Sequence, residues 1–213
     1  MATPSKKHEW RKAEKALYLP KTRPEFIDVP PQRFLTIEGE GNPNTEHFAQ
    51  HIQALYPVAY GIKMTAKKLS NPPEGYHDYT VYPLEGIWDI NDEAKATFDG
   101  TLNKDDLVYK LMIRQPDFID HDYFDEIVAQ IRKRKPYPLL DQVKFEEITD
   151  GHCIQMLHIG PFDDEPASFQ EMETFAAQAG HERLSKIHRE IYLSDFRKTP
   201  PEKLKTVLRF GVK

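Results

Sequence analysis

One order of elements is written twice along the chain: a strand, a glycine turn, an amphipathic helix, then two more strands. The first copy lies within 33–115. Its opening strand, with Phe34, Leu35 and Ile37, runs into Glu38-Gly39-Glu40-Gly41. Asn44 then stands as a helix N-cap, and Phe48, Ile52, Leu55, Ala59 and Ile62 follow at alternating steps of four and three, which places them on one helix face. Pro57 removes one backbone donor from that helix, so a kink is expected there. Extended runs follow at 79–90 and 107–113, the second alternating Leu107, Tyr109, Leu111 and Ile113 with Val108, Lys110, Met112 and Arg114. A helix over about 121–134 carries Phe124, Ile127, Val128 and Ile131 on one side.

The second copy lies within 153–212. Segments 143–148 and 153–159 read as a hairpin turning at Asp150-Gly151. Gly160-Pro161 closes the strand and Pro166 suits a helix start. Phe169, Met172, Phe175, Ala176 and Ala179 form its apolar stripe, and Gly180 stops it. Strands are predicted at about 187–193 and 205–212, with one helical turn between them at Thr199-Pro-Pro-Glu202. The repetition lies in the order of elements, with little residue identity, and it indicates an internal duplication. The expected fold is α+β: two tandem β-α-β-β modules, at about 31–116 and 141–213, with a connecting helix at about 119–135. Their antiparallel sheets join, with the helices on one face and a central groove at the pseudo-twofold axis. Residues 1–30 read as an arm packed on the main body, with Trp10, Leu17, Tyr18 and Phe26 as anchors.

Charge and composition narrow the function. Hydrophobic residues make up 39% and charged residues 30%, the balance of a folded globular chain. With 29 basic and 34 acidic residues the net charge is -5, which argues against nucleic acid as a partner. The basic run Arg132-Lys133-Arg134-Lys135 falls at a helix end, where cations complement the helix dipole. No apolar stretch reaches the ~20 residues of a membrane span. The lone Cys153 and the polar start of the chain fit a cytoplasmic protein.

Candidate chemistry centres on His188-Arg189-Glu190-Ile191-Tyr192-Leu193. Strand alternation sends Ile187, Arg189, Ile191 and Leu193 to one face and His188, Glu190 and Tyr192 to the other. A carboxylate beside an aromatic ring can be a counter-ion for a cationic ligand, a general base on water, or simply a solvated acid on an exposed sheet face. The matching stretch of the first copy is Glu85-Gly86-Ile87-Trp88. Setting Ile87 against Ile191 puts Trp88 against Tyr192 and Gly86 against Glu190, where the missing side chain leaves room beside the acid. Tyr56 and Tyr60, one helical turn apart, and Tyr109 either line the groove or pack on the sheet. The nine histidines form no HExxH, and there is no CxxC, phosphate-binding glycine loop or GxSxG elbow. No metal or cofactor is called for, and covalent serine or cysteine catalysis is not expected.

Several segments resemble those of stand-alone GyrI-like small-molecule-binding proteins. They are Phe34-Leu-Thr-Ile-Glu-Gly-Glu-Gly-Asn-Pro-Asn44, Tyr82-Pro-Leu-Glu-Gly-Ile-Trp88, Leu111-Met-Ile-Arg-Gln-Pro116, His158-Ile-Gly-Pro-Phe-Asp-Asp-Glu165, His188-Arg-Glu-Ile-Tyr-Leu-Ser-Asp195 and Pro201-Glu-Lys-Leu-Lys-Thr-Val-Leu-Arg209. The resemblance implies tandem SHS2-type modules and a groove in which a Glu, here Glu190, and aromatic rings, here including Trp88, hold planar and often cationic compounds. Relatives serve as ligand sensors of multidrug-responsive transcription activators, and one branch is named for inhibiting DNA gyrase. Some stand-alone members hydrolyse the strained cyclopropane of DNA-alkylating cyclopropanoid toxins of the yatakemycin and duocarmycin type.

On that resemblance the leading expectation is a cyclopropanoid cyclopropyl hydrolase. Glu190 would activate water, Tyr109 or Tyr192 would polarise the ligand oxygen, and Trp88, Gly86, Tyr56, Tyr60 and Phe162 would line the ligand site. Phe162 stands where many relatives carry Tyr, which removes a hydroxyl contact. Phe196 stands where relatives often carry Pro. The alternatives are a non-catalytic binder or sensor that sequesters drugs, and a gyrase-inhibitor-like interaction protein. The expected partner is a small molecule, with the protein a monomer or weak dimer.

Overall fold

The computed structural model describes residues 7–134 and 137–213. Lys135 of the basic run and the first six residues of the polar start lie outside the described residues. In chain order the elements are α1 (Trp10–Ala13), α2 (Lys15–Tyr18), β1 (Glu25–Val29), β2 (Gln32–Glu40), α3 (Glu46–Ala66), β3 (Leu84–Ile90), α4 (Asp92–Thr97), β4 (Leu107–Gln115), α5 (His121–Arg134), β5 (Lys144–Ile148), β6 (Gly151–Ile159), α6 (Glu165–Gln178), β7 (His188–Tyr192) and β8 (Lys205–Gly211). The fold is α+β, and every strand pair described below is antiparallel. The chain divides into two compact units.

Unit 1 takes in the residues up to Ala13, Gln32–Tyr82 and Ile90–Ile148. Within it β2 pairs with β4 and β5. The helix over 46–66 begins one residue later than expected. Thr45, not Asn44, is its N-cap, with the Thr45 hydroxyl accepting from the Phe48 amide at 3.4 Å. Its predicted stripe is buried along its whole length, from Phe48 to Ile62. At Gly61 a Cβ would come within 3.0 Å of Ile127 and 3.1 Å of Ile131, so the missing side chain lets α5 pack close to α3. Trp10 is buried, and its indole donates to the Val81 carbonyl at 3.0 Å.

Unit 2 takes in Glu14–Pro31, Pro83–Asp89 and Thr149–Lys213. Its strands lie in the order β1-β6-β8-β7-β3. The hairpin expected from Asp150-Gly151 does not form: β5 pairs with β2, whereas β6 pairs with β1 and β8. Within the expected arm, residues 25–29 are a strand.

Strand parity gives the unit 2 sheet two different faces. On one face, Ile154, Met156, Leu208 and Phe210 pack with Met172 and Ala176 of α6. The other carries a buried set of charges. Arg189 contacts Glu85 at 3.2 Å and Asp150 at 2.8 Å, and Arg209 lies 3.5 Å from Asp150. Two guanidinium groups thus face two carboxylates, so the buried set is neutral. Arg209 also donates to Gln155 at 2.9 Å and to the Leu17 carbonyl at 2.8 Å, while Gln155 donates to the Ala16 carbonyl at 2.7 Å. Both carbonyls belong to α2, where the last turn of a helix leaves acceptors that favour a cation.

Removing one partner from a buried ion pair strands the other. Glu85→Ala should therefore cost about 3–5 kcal/mol in urea unfolding, and Glu85→Gln, which keeps shape and an acceptor, clearly less.

Candidate functional site

The site is assembled on the α6 face of unit 2, where β3 pairs with β7. The register sets Gly86 opposite Glu190, Ile87 opposite Arg189 and Trp88 opposite His188. Trp88 and Tyr192 therefore lie diagonally on either side of the Gly86–Glu190 pair. Their rings still meet, because the Trp88 indole donates to the Tyr192 hydroxyl at 2.7 Å. Gly86 permits this: a Cβ there would fall 2.7 Å from Trp88 Nε1 and 3.2 Å from the Tyr192 oxygen.

Glu190 is 8% exposed. The Tyr192 hydroxyl donates to its Oε2 at 2.8 Å, and His188 Nε2 lies 3.2 Å from its Oε1. The other ring nitrogen of His188 sits 3.1 Å from the Lys186 carbonyl. A carbonyl only accepts, so in that contact Nδ1 is the donor. Burial first, and the Glu190 carboxylate second, hold the Tyr192 phenol well above its ordinary range, so it keeps its proton.

Around this group lie further rings. Phe162 stands edge-on to Tyr192 at 5.9 Å and 6.4 Å from Phe196, and both phenylalanines are 37% exposed. Phe169 of α6 meets the His188 ring at 4.6 Å. A half-open aromatic surface beside a nearly buried carboxylate suits a flat molecule, and a cationic one best.

The structure brings Glu190, Tyr192, Trp88, Gly86 and Phe162 together. The other predicted site residues, Tyr109, Tyr56 and Tyr60, sit in unit 1. Tyr109 is buried there, edge-on to Phe48 at 5.0 Å and to His51 at 5.6 Å, and burial, with a smaller contribution from Glu40, raises its phenol to about 12. Tyr56 and Tyr60 stack on each other at 6.2 Å, with Tyr60 exposed. Among the described residues no group of three or more His, Cys, Asp or Glu side chains could hold a metal ion. None of the described helices is long and apolar enough to cross a membrane.

Sequence reasoning passed over Glu165. It is the first residue of α6, is 5% exposed, and its side chain meets that of Glu190. Its Oε1 has no hydrogen-bond partner among the described residues, a situation that ordinarily costs about 1–3 kcal/mol. An acid in a first helical turn is usually explained by the helix dipole, so the sequence carries no sign of this one's burial.

Fold and site together define an α+β domain built to hold a small molecule. The chain belongs to the family of GyrI-like small molecule binding domains, whose model matches residues 22–213. It is similar over 97% of its length to a hydrolase from Listeria innocua, all of which is covered, at 36% identity and a TM-score of 0.86. A further solved structure of a hydrolase from that organism is 38% identical, with 98% of this chain and 100% of that one covered and a TM-score of 0.86. The C-terminal domain of EcmrR shares the fold, at 12% identity and a TM-score of 0.52, with 90% of this chain and 97% of that one covered. No curated protein matches the chain.

Gly86→Ala should break the Trp88–Tyr192 bond by overpacking. We expect a loss of about 1–3 kcal/mol in denaturant unfolding and a shift in Trp88 emission.

Proposed function

We propose that this protein binds planar, apolar or cationic small molecules against the Glu190 face and hydrolyses the cyclopropane ring of DNA-alkylating cyclopropanoid compounds, so acting in detoxification. One observation carries the reading: a nearly buried Glu190 is held by Tyr192 and His188 beside the open rings of Phe162 and Phe196. The likeness along nearly the whole chain to solved structures described as hydrolases supports a hydrolytic reaction class.

In this proposal the ligand lies on the aromatic surface and a water sits at Glu190. Glu190 takes one proton from the water as its oxygen bonds to the cyclopropane methylene. The ring carbon–carbon bond breaks, its electron pair moves to the conjugated carbonyl oxygen, that oxygen takes a proton from solvent to become a phenol, and Glu190 returns its proton to solvent. Ring strain supplies driving force, so placement of the water is the main task of the protein. Because the Tyr192 proton is already given to Glu190, we assign Tyr192 to orienting the base.

A second reading, a binder that sequesters or senses its ligand without converting it, is favoured by the same contacts. Each oxygen of Glu190 already has a protein partner, as suits a fixed counter-ion. Turnover separates the two.

With a large molar excess of a duocarmycin-type alkylator, the wild type should yield many equivalents of water adduct by mass spectrometry. Glu190→Gln should bind the compound and convert it about 10²–10⁴-fold more slowly, the usual contribution of a general base. A yield that stops at one equivalent would leave the protein a binder.

A further inference from the structure

Two buried carboxyl groups in contact cannot both ionise without help, and among the described residues the help is limited to one phenol and one imidazole. Among the described residues neither Glu165 nor Glu190 has a Lys or Arg partner. Glu190 is met by Tyr192 and His188, and Glu165 Oε1 by nothing. The groups that face the pair can be named element by element. Asp163, just before α6, adds a further negative charge near Glu165. From β7 come Tyr192, which keeps its proton, and His188. Trp88 of β3 is uncharged and is spent on Tyr192. His158 of β6 is engaged by Ser168 at 2.9 Å and the Pro161 carbonyl at 3.1 Å. Burial first, then Glu190, then Asp163 hold the proton of Glu165 well above the usual carboxylate range. The N-terminus of α6 pulls the other way but acts on an enclosed group with an acid directly against it.

We propose that Glu165 is a second acid of the ligand site, and that the Glu165–Glu190 pair holds one proton when the site is empty or filled by a neutral molecule and releases it to solvent when a cationic ligand binds. In that step one carboxyl O–H bond breaks, its electrons stay on the carboxylate, and the proton passes to buffer. The pair then offers a full second negative charge to the cation. Glu165 thereby determines specificity: one site accepts neutral and cationic ligands by changing its own charge. The proposal rests on the Glu190 face being the ligand site and is independent of hydrolysis.

The test uses the whole chain with N-methylacridinium, a planar permanent cation, and acridine, its neutral counterpart at neutral to alkaline pH. Calorimetry in buffers of different ionisation enthalpy counts protons. N-methylacridinium should release about one proton per molecule bound, and its affinity should rise about tenfold per pH unit until the empty pair itself loses its proton, then level off. Acridine should release none. Glu165→Gln should abolish the release and flatten the pH profile. In the wild type, binding of the cation should also remove an infrared band of a protonated carboxyl, a readout that depends on no variant.

The proposal is overturned if N-methylacridinium does not bind or binds without releasing a proton, if release persists in Glu165→Gln, or if binding leaves the protonated-carboxyl band in place. Turnover of a cyclopropanoid is read separately, so either idea can fail while the other stands.

Discussion

Arg189 and Glu190 are neighbours in sequence and both are buried, yet a strand sends adjacent side chains to opposite faces. Each charge must therefore be answered in a separate environment. On one face Arg189 is neutralised by Glu85 and Asp150, in a set that also holds Arg209 and secures α2. On the other, Glu190 receives only a phenol, an imidazole and a second acid. A slip of β7 by one residue would exchange the two, placing a guanidinium among the aromatic rings and a carboxylate among carboxylates. The charges fix the register as firmly as the apolar residues around them, and the register in turn sets Glu190 opposite Gly86.

Much of this architecture is legible in local pattern. The helix at 121–134 has the bounds that its apolar spacing indicates, and the helix after Gly160-Pro161 begins one residue before Pro166. The parity of 187–193 correctly separates Arg189 from Glu190. Pairing is less legible. Asp150-Gly151 looks like a hairpin turn because turn chemistry is local, but the partners of β5 and β6 are decided by distant strands. The strand at 25–29 escaped notice because it lies among prolines with only a short apolar run.

The candidate site divides in the same way. Glu190, Tyr192, Trp88 and Gly86 stand out because strand alternation and a glycine between bulky residues are visible in one dimension. Glu165 does not, because its significance lies in burial and in contact with a residue 25 positions away. Its sequence context, an acid next to a proline at a helix start, has an ordinary structural explanation that hides the other one.

Gly86 has an optical consequence. The chain contains two tryptophans, and one of them, Trp88, is tied through Tyr192 to the Glu190 carboxylate by a continuous run of hydrogen bonds. An indole in that position emits according to the charge and polarity next to it. The protein thus carries an intrinsic fluorophore wired to its own candidate ligand site, with Trp10, buried against Val81, as an internal reference.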